Sequence, residues 1–144
     1  MSELFYPPEW YPQSCIQLTW PHFGTDWRHI IEEVTDCYVS LSKEILKKEK
    51  LLIVCPNKDE VIKHFTLEEL KKISLVEIDS NDTWARDHGA ISIFENNRPV
   101  ILDFGFNAWG LKFPADKDNQ ISSHIYKSAI FKPNVSYHNH LNFI

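Results

Sequence analysis

Asp82, Trp84, Arg86, Asp87 and His88 fall within the segment SNDTWARDHGAI, residues 80–91. Two carboxylates, a guanidinium, an imidazole and an indole are thus gathered in seven positions. A carboxylate beside an aromatic ring is a receptor for a planar cation. It accepts paired N–H bonds from a guanidinium while the ring face attracts the charge. If Thr83 to Gly89 is extended, Thr83, Ala85 and Asp87 share one face, with Trp84 and Arg86 on the other. Arg86 and Asp87 would then need separate partners, and Gly89 would admit another group close to the backbone. The plainer alternative places Asp87 and Arg86 in buried ion pairs and Trp84 in the core.

A second cluster is LDFGFNAWGLKFPADKDN, residues 102–119. Gly105 and Gly110 bracket Phe106, Asn107 and Trp109, too irregular for a helix and too rich in glycine for a plain strand. Asn107 can fix a turn through its side chain. Long ordered loops often carry function, but a tight loop packed by aromatics fits as well. Asp116 and Asp118 read as the start of the next helix. His138 and His140 could face a metal from one side of a strand, yet no further ligand sits at zinc-like spacing. His88 reads as exposed or structural in preference to a base. Cys15, Cys37 and Cys55 carry no activating signature, and no glycine-rich phosphate loop or nucleophile elbow occurs.

The elements that must position these groups alternate between helix and strand. The proline-rich FYPPEWYPQS is an extended lead-in held by packing, and CIQLTW a short strand stopped by Pro21. Trp27, Ile30, Ile31, Val34, Tyr38, Leu41 and Ile45 mark one apolar helical face, with Thr25 or Asp26 as cap and Lys47, Lys48 and Lys50 at the negative end of its dipole. LLIVCP is a buried strand, DEVIKHF and TLEELKKI are short helices, and SLVEID is again a strand. AISIFENNRPVILDFG reads as two strands around an Asn-Asn turn. Asp118 to Ile130 resumes helical spacing, and NVSYHNHLNFI begins another strand. The class is α/β.

With 144 residues, 43% apolar and 24% charged, the composition is that of one globular domain. A net charge of −5 with neutral histidines argues against a nucleic-acid surface. No run reaches the roughly 20 apolar residues of a membrane span, nothing at the start resembles a signal peptide, and three scattered cysteines fit reduced thiols in the cytoplasm.

On these residues the chain resembles the agmatine deiminase and bacterial-type peptidylarginine deiminase family. PPEWYPQSCIQLTWP resembles the family's N-terminal lead and first strand, NDTWARDHG its W-x-R-D-x-G motif, and DFGFNAWG its F-N-A-W-G segment. The resemblance implies a pentein-like five-bladed α/β propeller built of ββαβ units. It also implies hydrolysis of a guanidinium to a ureido group with loss of ammonia. In that chemistry a cysteine attacks the guanidinium carbon, a histidine moves protons and two acidic residues hold the nitrogens, fixing the plane for attack. Asp87 is then one of those carboxylates, catalytic and substrate-binding. Trp84 walls the pocket, Asn107 and Trp109 shape its loop, and Arg86 and Asp82 support Asp87 from behind.

The family's later glutamate-glycine-glycine segment with its histidine has no counterpart here, nor does its C-terminal nucleophilic cysteine, and none of the three cysteines matches that position. The expectation is therefore residues 1–144 as the N-terminal part of a single propeller domain, about the first two ββαβ units, with the C-terminal catalytic part absent. Agmatine is the expected substrate and N-carbamoylputrescine the product, in polyamine or arginine metabolism, without turnover by this chain alone. A peptidylarginine substrate, a non-catalytic guanidinium-binding module and a structural α/β module are the alternatives. No cofactor, metal, nucleic acid or membrane is implied as a partner. Association through exposed blade faces, or as a homo-oligomer, is expected.

Overall fold

The computed structural model describes residues 3–140, which fall into two units: Gln13–Ala85, and Arg86 onward together with the lead-in through Pro12. Each has its own sheet.

The unit Gln13–Ala85 holds three parallel strands in the order β2 (Ile16–Thr19), β3 (Leu51–Cys55), β4 (Ile73–Glu77). Parallel strands covered on both faces read as continuous apolar runs. Accordingly, all five residues of β3 are buried, and Ile53 lies between Leu18 and Leu75 in the register. A 3-10 turn, Asp26–Ile30, leads into α1 (Ile31–Leu46), the long helix that the apolar spacing predicts. Leu46 and half-buried Tyr38, Val39 and Ile45 turn inward toward Trp20, Leu51, Ile53, Cys55, Val61 and Phe65. Ile30 and Leu41, expected on that face, are exposed. Ile30 belongs to the 3-10 turn, whose winding does not continue the α-helical period, and Leu41 lies at the edge of the side of α1 that Tyr38, Val39, Ser42, Ile45 and Leu46 turn inward. Thr25 makes no side-chain cap; its hydroxyl donates to the His22 carbonyl. At the other end Lys72 Nζ donates to the Leu46 carbonyl at 3.0 Å, while Lys47 turns aside to Glu44. Two short helices follow, α2 (Lys58–Ile62), capped by Asn57, and α3 (Leu67–Leu70), closed by a reciprocal Thr66–Glu69 capping box.

The other unit has a four-stranded sheet in the order β1 (Leu4–Phe5), β5 (Ile91–Glu95), β6 (Arg98–Phe104), β7 (Ser136–His140). Asn96 and Asn97, at φ 49° and 62°, form the tight turn between β5 and β6, where two left-handed residues match the twist of the strands. The lead-in is extended as expected, pairing Leu4 with Glu95 and Phe5 with Phe94, and Phe5, Tyr11 and Phe94 pack as a ring cluster. From β6 the chain passes through two helical segments, α5 (Ala108–Leu111) and α6 (Asp118–Lys127), and returns as β7 parallel to β6. The order β5–β6–α6–β7 is thus ββαβ. Ile121 and Ile125 of α6, with Val100 and Ile101 of β6, form its apolar centre.

Between β4 and β5 lies α4 (Ala85–His88), a single helical turn. The extended conformation expected from Thr83 to Gly89 is not found. A run without apolar alternation has no reason to hold a strand, and Asp82 with Thr83 supplies the polar entry that a helical turn needs.

Candidate functional site

The first cluster divides at the boundary between the units. On the side of Gln13–Ala85, Asp82 organises the turn by accepting from the Thr83 backbone N–H at 2.8 Å and from Trp84 Nε1 at 3.0 Å. The Trp84 indole is therefore held by its edge, leaving a ring that is half exposed and 6.2 Å from Trp27. Trp27 Nε1 donates to the Thr83 hydroxyl at 3.0 Å, and the Tyr38 phenol bonds Thr83 as well, its pKa raised chiefly by burial. Buried Thr83 is thus the residue that anchors the turn, and sequence reasoning passed over it. Its signal was the Asp-Thr pair, a local competitor for backbone bonds. His22 fixes the neighbouring loop. Its Nδ1 accepts from the Gly24 N–H, so the neutral ring carries its proton on Nε2, facing Ser80 Oγ at 3.1 Å.

On the other side, Arg86 and Asp87 are both exposed and His88 is buried. Arg86 lies 3.6 Å from Glu9, with both side chains almost wholly in solvent, a pair of little energetic weight. Arg86 therefore does not neutralise Asp87. The buried ion pair of the plainer alternative is not what holds Arg86, and Trp84 is not core.

Asn107 and Trp109 lie on an unusual turn in this same unit. Ala108, Trp109, Gly110 and Leu111 all have positive φ, 47°, 55°, 81° and 64°. The segment α5 is one turn wound left-handed, closed by Leu111 N–H to the Asn107 carbonyl at 2.6 Å. Left-handed winding costs an L-residue roughly 1–2 kcal/mol, and three of the four are not glycine. Such strain survives only where surroundings over-determine it, and it gathers at functional sites. Asn107 fixes the turn as expected, accepting from the Gly110 N–H at 3.0 Å. Ala108 buries its methyl, and Phe106, Trp109 and Phe113 stack edge to face at 5.2 and 5.7 Å. Asn119 on α6 was missed by sequence reasoning: its Oδ1 accepts from the Phe106 N–H at 2.7 Å and its Nδ2 donates to the Phe106 carbonyl at 2.9 Å.

Beneath this loop Asp103 is buried in β6 and accepts from the Tyr137 phenol of β7. Burial pushes the Asp103 carboxyl up from 3.8, against hydrogen bonds from Tyr137 and Ser122. Burial and then Asp103 push Tyr137 up to about 12, so the phenol remains a donor at neutral pH. A carboxyl harder to ionise when folded keeps its proton to higher pH in the folded chain than in the unfolded one. Its contribution to stability is complete below 3.8 and is lost as pH rises through the raised folded value. We expect Asp103→Asn, which still offers Tyr137 an oxygen, to remove that decline, read as urea midpoints that change less between pH 4 and pH 7 than those of the unsubstituted chain.

Two of the three thiols are disfavoured as nucleophiles. Burial, with Glu49 adding to it, raises Cys15, and burial raises Cys55 to about 11. Cys37 is exposed on α1. Among the described residues no group of three or more His, Cys, Asp or Glu side chains could hold a metal ion, and no helix is long and apolar enough to cross a membrane.

Comparison with known proteins gives these features a context. Residues 5–139 match the sequence profile of the Porphyromonas-type peptidyl-arginine deiminase family. A curated relative from Shewanella baltica, provisionally named an agmatine deiminase, is 32% identical over 137 residues, covering 88% of this chain and 35% of the relative. The chain thus spans about a third of the length of the curated relatives it matches. Among solved structures, one from Porphyromonas gingivalis, provisionally named an arginine deiminase, superposes with a TM-score of 0.89 at 42% identity, over 99% of this chain and 42% of that one. A C. jejuni agmatine deiminase with substrate bound gives 0.85 at 35% identity, over 95% of this chain and 40% of that one. The chain belongs to the Porphyromonas-type peptidyl-arginine deiminase family.

Proposed function

We propose that this chain supplies the N-terminal part of a guanidine-hydrolysing deiminase that converts agmatine and water to N-carbamoylputrescine and ammonia, in cytoplasmic polyamine or arginine metabolism. The observation that carries the reading is the Asp87 carboxylate, exposed on a helical turn while the adjacent Arg86 is turned to Glu9. An acceptor not already matched to its neighbouring cation is available to an incoming one. Two parallel N–H bonds from a guanidinium would fix its plane and hold its charge during addition at the central carbon. In the same unit as Asp87, Asn107 with Trp109 offers a rigid loop, and in the other unit Trp84 offers an exposed aromatic face. Asp82 supports the indole through its bond to Nε1, and Arg86 contributes by turning to Glu9 and leaving Asp87 to the substrate.

The nucleophile lies outside this chain in our reading. At a pKa of about 11 the Cys55 thiolate fraction at pH 7 is on the order of 10⁻⁴. The C. jejuni enzyme with substrate bound carries serine in place of a cysteine. Retention of substrate by such a variant is what a nucleophilic cysteine predicts. The remaining propeller blades would cover Asp87 and raise the strength of its bonds by excluding water.

The test is an assay of ammonia and ureido product from agmatine with the 144-residue chain. We expect no turnover above the uncatalysed rate. Product formation would show that one of Cys15, Cys37 or Cys55 serves as nucleophile and that our reading of the chemistry is wrong. The family's description favours a peptidylarginine substrate as the second reading. Competition between agmatine and an arginine-containing peptide for binding separates the two.

A further inference from the structure

We propose that Asn119 is a positioning residue for the loop that bears Asn107 and Trp109, holding its left-handed turn in place without touching substrate. The side-chain amide grips both backbone groups of Phe106, one bond in each direction, much as a neighbouring strand would. Phe106 immediately precedes Asn107, the cap of the turn, whose left-handed run begins at Ala108, and the Phe106 ring meets Trp109 edge to face at 5.2 Å. The orientation of Phe106 therefore sets both the start of the turn and the attitude of the indole. Asn119 stands in the first turn of α6, whose Ile121 and Ile125 are buried against the sheet, so the grip is anchored in the rigid part of the unit. The turn's own bonds, from Gly110 to Asn107 Oδ1 and from Leu111 to the Asn107 carbonyl, close it on itself but do not tie it to anything else. Asn119 ties the residue that leads into the turn to the helix.

Only an amide fits this role at neutral pH. An ionised aspartate accepts from the Phe106 N–H but cannot donate to its carbonyl, and sets a negative oxygen against it. Protonated, the same side chain regains a donor. Asn119→Asp is thus a switchable variant of nearly unchanged shape.

The experiment is fluorine NMR of the full chain carrying 5-fluorotryptophan, with the five indoles assigned by single Trp→Phe substitutions. In Asn119→Asp at pH 7 we expect the Trp109 resonance alone to move, and to return toward its original position as pH falls through the carboxylate range near 4. An unmoved Trp109 resonance overturns the proposal. So does collapse of the dispersion of all five, which would mean that Asn119 serves the whole unit. A measurement independent of any variant is hydrogen exchange in the unsubstituted chain. The Phe106 amide should exchange at least tenfold more slowly than the Trp109 amide, and equal rates overturn the grip. A last arm rests on the deiminase reading: Asn119→Asp should weaken agmatine binding about tenfold at pH 7 with the melting curve retained. If the unsubstituted chain binds no agmatine, that reading fails, while the NMR and exchange results still judge Asn119.

Discussion

Asp87→Asn is expected to weaken agmatine binding by this chain about 10- to 100-fold in isothermal calorimetry. The substitution keeps the shape of the side chain while removing its charge and replacing one acceptor oxygen with an N–H₂ that opposes the guanidinium. Hydrogen bonds to charged groups are worth about 1.5–3 kcal/mol net, and 1.4 kcal/mol is tenfold in affinity. Asp87 stands exposed here, so the lower part of that range applies at high salt and the upper part at low salt. Glu9→Gln is the matching control. Glu9 faces Arg86 in solvent, and its loss should change affinity by less than about twofold, the weight of an exposed pair. Equal effects from the two substitutions would mean that agmatine responds to general negative charge and has no site at Asp87.

The largest effect on stability is expected from Ile53→Ala. Ile53 is 0% exposed at the centre of β3, with strands on both sides and Trp20, Val61 and Phe65 in the same cluster. Truncating a buried isoleucine typically costs about 2–5 kcal/mol, part transfer and part residual cavity. A domain of this size has about 5–15 kcal/mol in all, so the unfolding midpoint in urea should fall by about an eighth or more. Leu41→Ala, on the apolar face of α1 by sequence but exposed in the fold, should stay within about 0.5 kcal/mol. Similar losses at the two positions would contradict the arrangement of the core around β3.

The contrast between Ile53 and Leu41 shows what the sequence makes legible. LLIVC is apolar at every position, which only a strand covered on both faces requires, and the Asn-Asn turn announces its hairpin through two residues that tolerate left-handed φ. Leu41 misleads because the buried side of α1 runs through Tyr38, Val39, Ser42, Ile45 and Leu46, which leaves position 41 at the edge of the stripe that its spacing suggests. The turn Ala85–His88 is shorter than any window that reveals a period, so the spacing in WARDHG does not distinguish strand alternation from the helical turn that forms. The loop from Gly105 to Leu111 was visible as an irregular aromatic segment with Asn107 fixing a turn. Its left-handed winding was not, because three of its four residues disfavour that region intrinsically and only tertiary bonds impose it. Asn119 and Thr83 escaped notice for the same reason. Their importance lies in backbone groups that are distant or locally contested, and no spacing rule records those.

The site residues are the part most exposed to refutation, since the motifs name them while the contacts described here join only some of them. Trp84 and Asp82 are tied to each other, and Asn107 holds its own turn around Trp109. Among the described residues Asp87 is joined to none of these groups, so the most direct measurement is on its own carboxyl group. The carboxyl carbon of Asp87 should be followed by NMR during titration with agmatine and, separately, with 1,4-diaminobutane, which keeps the amine and lacks the guanidinium. The account predicts a saturable shift at Asp87 with agmatine and none with the diamine. An Asp87 signal that ignores agmatine, or that moves equally with both, would contradict it.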